Sequence, residues 1–352
     1  MINHVRLKYH EKIKYNKSGI ALIDRGIVGF KTFRNKDEIN VYSEYRPWNN
    51  DWSSETTPAE ATGDYHGTLM ASIMTTKINN IGIAGVSAAS YLHSVKLLRH
   101  TTASDYLGIL SNSLNNIGIY TYTRVMLIIP NYNSIANNRI SYHKQQNFHE
   151  ALKMAKSNRM VAVAPVGHHP EGHMTTDTKK DYAKLKYPKI SYPLGYDFTK
   201  DLIIPVTALS SSGKILGPFY SDRTTFAAPA GLYAKSGLND DENIIALYPE
   251  NDHYSLRNFP GGSCIAAAHV TAIIAEMFFI NSFIEVDQVR DILKRTATQI
   301  TIPGSDTYYV YKVNMKKALF ETFKALNKKD KLAFMRKANV PNSVIRRYKD
   351  AL

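Results

Sequence analysis

The stretch Pro260-Gly-Gly-Ser-Cys-Ile-Ala-Ala-Ala-His-Val270, continuing through Thr271-Ala-Ile-Ile-Ala-Glu-Met-Phe-Phe279, joins a glycine turn directly to an apolar run of helical length. Two adjacent glycines let the backbone turn sharply without a Cβ penalty. A helix that is apolar on nearly every face belongs in the interior of a layered fold. Ser263 and Cys264 fall at its first turn, where exposed amides and partial positive charge favour an anion. A thiol placed there has its pKa lowered, and an oxyanion formed there is stabilised. Two readings of Cys264, the only cysteine in the chain, follow. It is either a nucleophile or, as most free cysteines are, a small buried hydrophobe.

Composition limits the rest. The chain has 352 residues, 44% hydrophobic and 21% charged, enough for one large α/β domain or two ordinary ones. One cysteine excludes an intrachain disulfide and suits a reducing compartment. The N-terminus, Met1-Ile-Asn-His-Val-Arg-Leu-Lys-Tyr-His, is basic and lacks an apolar h-region, and no stretch approaches the ~18 apolar residues of a membrane span. A cytoplasmic protein without a membrane partner is therefore expected, unless another route delivers it. The formal charge of +14 invites an acidic partner, but lysines dispersed along the chain read as solubility rather than nucleic-acid recognition.

Upstream, Ser18-Gly-Ile-Ala-Leu-Ile-Asp-Arg-Gly-Ile27 is an apolar run of strand length ending in Asp24. It reads as a buried parallel strand with an acid at its carboxyl end, the edge where ligands collect in open α/β sheets. Asp24 as a turn residue capping the strand exit is the plainer alternative. Residues 31–64 are polar and without period, and read as a long loop with one strand near Ile39–Tyr42. Gly63-Asp-Tyr-His-Gly-Thr-Leu-Met-Ala-Ser then places His66 at the start of a second apolar helix, as a cap or as a base. A glycine-punctuated turn from Asn79 leads to a strand from about Tyr91 to Leu98.

Three of these segments together resemble the subtilisin-like serine protease family. Ile20-Ala-Leu-Ile-Asp-Arg-Gly-Ile is similar to its aspartate strand, and His66-Gly-Thr-Leu-Met-Ala-Ser with Asn79–Leu98 to its histidine helix and following strand. Gly262-Ser-Cys-Ile-Ala-Ala-Ala-His-Val is similar to its nucleophile motif, Gly-Thr-Ser-x-Ala-x-Pro-His-Val. The order aspartate, histidine, nucleophile is also the order known for subtilisin. Further along, the strands at Arg124–Ile129 and Met160–His168, the helix at Asn147–Ser157, the Ile203 and Phe226 segments and the helix at Val286–Ala297 fit the same frame. The resemblance covers roughly residues 18–320. It implies an α/β fold of three layers, a mostly parallel twisted sheet with helices on both faces. It also implies an endopeptidase with the triad Asp24, His66 and Cys264, acting without a cofactor or metal on a peptide or protein substrate.

Departures from the family pattern carry specific expectations. His269 lies five residues after Cys264, the family's serine-to-histidine spacing, whereas Ser263 lies six before it. Making Ser263 the nucleophile requires an extra residue inside the helix, rotating every later core position by about 100°. His168 stands where the family's oxyanion asparagine is expected, so the oxyanion would be held by His168 and the Cys264 backbone N–H. A turn histidine facing solvent beside His169 is the alternative. Pro130 and Asn131 replace a substrate-pairing Ser-Leu-Gly strand. With Gly167 they are the expected substrate-binding residues, and they imply narrow specificity. The family also leaves other outcomes open: a peptide-binding relative that does not cut, a ligase or transpeptidase exploiting a thioester, and a cysteine that replaces a native serine.

The expected organisation is an N-terminal extension at 1–17, too short for a propeptide domain, then a peptidase domain at 18–320 and a basic extension at 321–352. The last has nine basic residues against three acidic. Phe323, Leu326, Leu332, Phe334 and Met335 recur there at helical spacing, predicting one or two amphipathic helices with Pro341 between them. Asn239-Asp-Asp-Glu-Asn243 reads as an exposed acidic loop rather than a calcium site.

Overall fold

The structure is a computed structural model. It describes residues 18–28, 34–35, 38–46, 51–53, 65–79, 82–88, 90–97, 103–120, 123–129, 141–167, 193–194, 197–210, 212–215, 224–230, 244–259, 261–302 and 308–351. Twelve strands and eight α-helices lie among them. The strands are β1 (Gly19–Asp24), β2 (Val41–Arg46), β3 (Asp51–Ser53), β4 (Tyr91–Lys96), β5 (Thr123–Ile128), β6 (Val161–Pro165), β7 (Ile203–Leu209), β8 (Phe226–Pro229), β9 (Ile244–Glu250), β10 (His253–Phe259), β11 (Thr298–Thr301) and β12 (Tyr309–Lys312). The helices are α1 (His66–Thr75), α2 (Ala103–Tyr120), α3 (Tyr142–Ser157), α4 (Ser263–Ile280), α5 (Val286–Thr296), α6 (Met315–Lys324), α7 (Lys328–Lys337) and α8 (Asn342–Ala351).

Ten strands form one sheet in the order β11-β12-β8-β7-β6-β5-β1-β4-β2-β3, parallel from β12 to β2 and antiparallel only at the two outer pairings. Such strands must be apolar on both faces, because crossover helices cover both. In β1 the alternation is explicit. Ile20 and Leu22 enter the core shared with α1 and α4, while Ala21 and Ile23 enter the core shared with α2 and α3. The three-layer α/β architecture expected from the sequence is the one found. Strand order reverses at β1, which lies between β4 and β5, so its carboxyl end opens onto a switch point.

The nucleophile-motif helix α4 buries 15 of its 18 residues beneath the sheet, against α1 on one side and α6 on the other. It is the one described helix long and apolar enough to cross a bilayer, which corrects the expectation that no stretch approaches that apolarity; most of it is buried as a core helix. Three further readings need correction. Val41–Arg46 and Asp51–Ser53 are two strands, β2 and β3, and β2 extends the parallel sheet through β4. The helix α2 was not foreseen. Its sequence is rich in Asn, Ser and Gly, weak helix formers, yet Tyr106, Leu107, Leu110, Leu114 and Ile117 recur at helical spacing and are buried. The antiparallel ribbon β9–β10 also went unread, and it leads directly into the glycine turn before α4.

Candidate active site

Asp24 ends β1 and is buried, 2% exposed. Its Oδ1 accepts the Arg25 backbone N–H at 2.7 Å, and its Oδ2 meets His66 Nδ1 at 2.7 Å. The His66 ring belongs to the first residue of α1, and its side chain keeps 32% of its surface exposed. Close approach of the β1 end to the α1 start depends on Gly67, where a Cβ would lie 2.2 Å from the Gly26 carbonyl oxygen. No larger residue fits without displacing backbone.

With Nδ1 on Asp24, Nε2 is the ring nitrogen left to meet the thiol, and the His66 imidazole is hydrogen-bonded to the Cys264 side chain. Burial alone would lower the His66 pKa. The Asp24 carboxylate, by charge and hydrogen bond, and the Cys264 sulfur outweigh burial and hold that pKa well above the ordinary histidine value. Cys264 is buried at 3% exposure in the first turn of α4. The helix begins at Gly262, an extended residue without a side-chain cap, whose carbonyl accepts from the Ile265 and Ala266 N–H groups. The amides of Ser263 and Cys264 precede that first intrahelical bond, so they are amides that a helix start can offer to an anion.

Ser263 faces elsewhere. Its hydroxyl donates to the Gly167 carbonyl at 2.8 Å and accepts the Gly167 N–H at 3.2 Å, and it is 1% exposed. The structure thus brings Cys264, and not Ser263, to the histidine. Gly167 lies two residues past the end of β6 with φ +104°, in the left-handed region that favours glycine. Its N–H donates to the Ser263 hydroxyl. His269 sits one turn along α4, its Nδ1 hydrogen-bonded to the Ile265 carbonyl at 2.9 Å, and burial lowers its pKa. Pro130, Asn131, His168 and His169 lie outside the described residues, as does the acidic segment 239–243. Among the described residues no three His, Cys, Asp or Glu side chains cluster as metal ligands.

One neighbour of the site had no signal of its own in the sequence. Tyr106 on α2 is fully buried and its hydroxyl donates to the Ile129 carbonyl at 2.7 Å, just past the end of β5. Burial first, then the negative charges of Asp24 and Cys264, push its pKa well above the usual tyrosine value. The helical period of α2 was the pattern that could have found it.

A subtilase-family model matches residues 16–312. No curated protein matches the chain. Among solved structures, the keratinolytic enzyme fervidolysin from Fervidobacterium pennivorans superposes with a TM-score of 0.61 at 19% identity, over 89% of this chain and 44% of its own. The chain therefore spans less than half the length of that relative. The A-subunit of the AB5 toxin from E. coli gives a TM-score of 0.61 at 17% identity over 92% and 96% of the two chains. The nisin leader peptidase NisP from Lactococcus lactis gives 0.59 at 16% over 89% and 90%.

Proposed function

Because the chain belongs to the subtilase family, we propose that it is an endopeptidase whose nucleophile is Cys264, with His66 as general base and Asp24 as the group that orients and steadies the imidazole. The observation that carries this reading is the continuous hydrogen-bonded series Asp24, His66, Cys264 at the carboxyl edge of the sheet. His66 Nε2 accepts the thiol proton, giving a thiolate beside an imidazolium, and the raised pKa of His66 favours that pair. Sulfur attacks the peptide carbonyl carbon. The resulting oxyanion is received by the Cys264 backbone N–H, and the leaving amine takes the proton from Nε2 as the C–N bond breaks. Water, deprotonated by His66, then hydrolyses the thioester. Asp24 fixes the tautomer through Nδ1–H. Pro130 and Asn131, at the place where the family pairs with substrate backbone, support cleavage of a specific peptide or protein rather than broad digestion.

A peptide carrying an alkylating electrophile tests the reading. Intact mass is expected to show one adduct, on Cys264, with the rate falling at least about 10²-fold in His66→Ala. A protein that takes up no adduct, or takes it up as fast without His66, would be a binder and not an enzyme of this kind.

A further inference from the structure

Ser263 was left without a role once Cys264 had been assigned the nucleophile, yet its hydroxyl makes a paired contact found nowhere else in the described site. One O–H···O bond and one N–H···O bond close a small ring between its side chain and the Gly167 peptide groups, 96 residues away in sequence. Both partners are buried, and Gly167 takes a backbone conformation that is open to glycine and strained for other residues. β6 itself is anchored to β7, with Val166 N–H donating to the Val206 carbonyl at 3.0 Å. The hydroxyl therefore ties the first turn of α4 to a strand end already fixed in the sheet. Its proton is committed to Gly167, so Ser263 is not itself poised to donate to an oxyanion.

We propose that Ser263 is a positioning residue for the acyl-transfer step. It locks the end of β6 against the first turn of α4, and so fixes where the Cys264 N–H lies relative to the carbonyl under attack. This rests on the reading of Cys264 as nucleophile. In the addition step the sulfur–carbon bond forms and the carbonyl π pair moves onto oxygen, while the thiol's proton stays on the imidazolium. Only that developing oxygen depends on the clamp. Simple alkylation of the thiolate, in which sulfur displaces a halide, makes no oxyanion and does not.

The two chemistries separate the roles. Reaction with iodoacetamide and reversible inhibition by a peptide aldehyde are measured on the full chain for the parent, Ser263→Thr and Ser263→Val. Threonine and valine have the same shape and differ only in the hydroxyl, so folding and packing are held level between them. For Ser263→Val the expected result is an alkylation rate within about twofold of the parent and aldehyde binding weakened about 10- to 100-fold, with Ser263→Thr close to the parent in both. Equal losses in both probes, or equal behaviour of Thr and Val, overturns the positioning role. If neither probe reacts with the parent, it is the proposed nucleophile that fails, and the outcome is distinguishable from failure of the clamp.

Discussion

At the residue scale the site is a matter of fractions of an ångström. Gly67 shows it most simply, because a methyl group there would stand 2.2 Å from the Gly26 carbonyl oxygen. Gly67→Ala must push α1 away from the end of β1 and lengthen the 2.7 Å contact between His66 and Asp24. Alkylation of Cys264 is expected to slow about 10²-fold in that variant, the usual cost of an ångström of misplacement. Wild-type rates would mean the two backbones have room that the structure denies them. The His66 pKa has a sign that can be checked as well. The folded value is raised above the ordinary 6.5, so the imidazolium survives above that pH and its stabilisation is lost only as pH rises through the raised folded value. The alkaline limb of the Cys264 reactivity profile should accordingly lie above pH 6.5. In Asp24→Asn, which removes the charge that most raises the value, that limb should move to lower pH. A limb at or below 6.5 in the parent would contradict the assignment.

At the scale of elements, β4 carries a testable liability. His93 is buried at 2% exposure, its Nδ1 bonded to Ser43 at 2.7 Å, and burial lowers its pKa to about 4. The unfolded chain binds a proton there below 6.5 and the fold refuses it until about 4. Stability is thus full above 6.5 and falls as pH drops toward 4, by roughly 3 kcal/mol at most. Urea midpoints measured across that window should decline in the parent and flatten in His93→Gln; parallel curves would show that His93 is not the cause. The same scale explains what could be read in advance. Asp24, His66 and Cys264 were legible because each sits in a short local motif at the junction of a strand or turn with a helix. The Ser263–Gly167 clamp was not, since it joins residues 96 apart and only the folded sheet brings them together. The helix α2 was lost in its Asn, Ser and Gly content, where burial of one face overrides weak propensity.

For the whole molecule, the helices that follow the family match pack against the core. The helix α6 begins at Met315, just past the end of the family match, and packs on α4 and α5 with Ala318 and Leu319 buried. Phe334 of α7 meets Phe279 of α4 at 6.5 Å and Phe323 of α6 at 5.7 Å between ring centroids. Leu319→Ala should therefore destabilise the entire domain by about 2–4 kcal/mol in a single cooperative transition, read by denaturant unfolding. A separate early transition would instead make the extension a module of its own.

The central claim is that one sulfur, at the start of one helix, attacks a carbonyl. Its most direct test is acid-quench mass spectrometry after brief exposure to an activated peptide ester. The account predicts a single acyl group in thioester linkage on Cys264, absent in Cys264→Ala and strongly delayed in His66→Ala. An acyl group found on Ser263, or none on the parent protein, would contradict it.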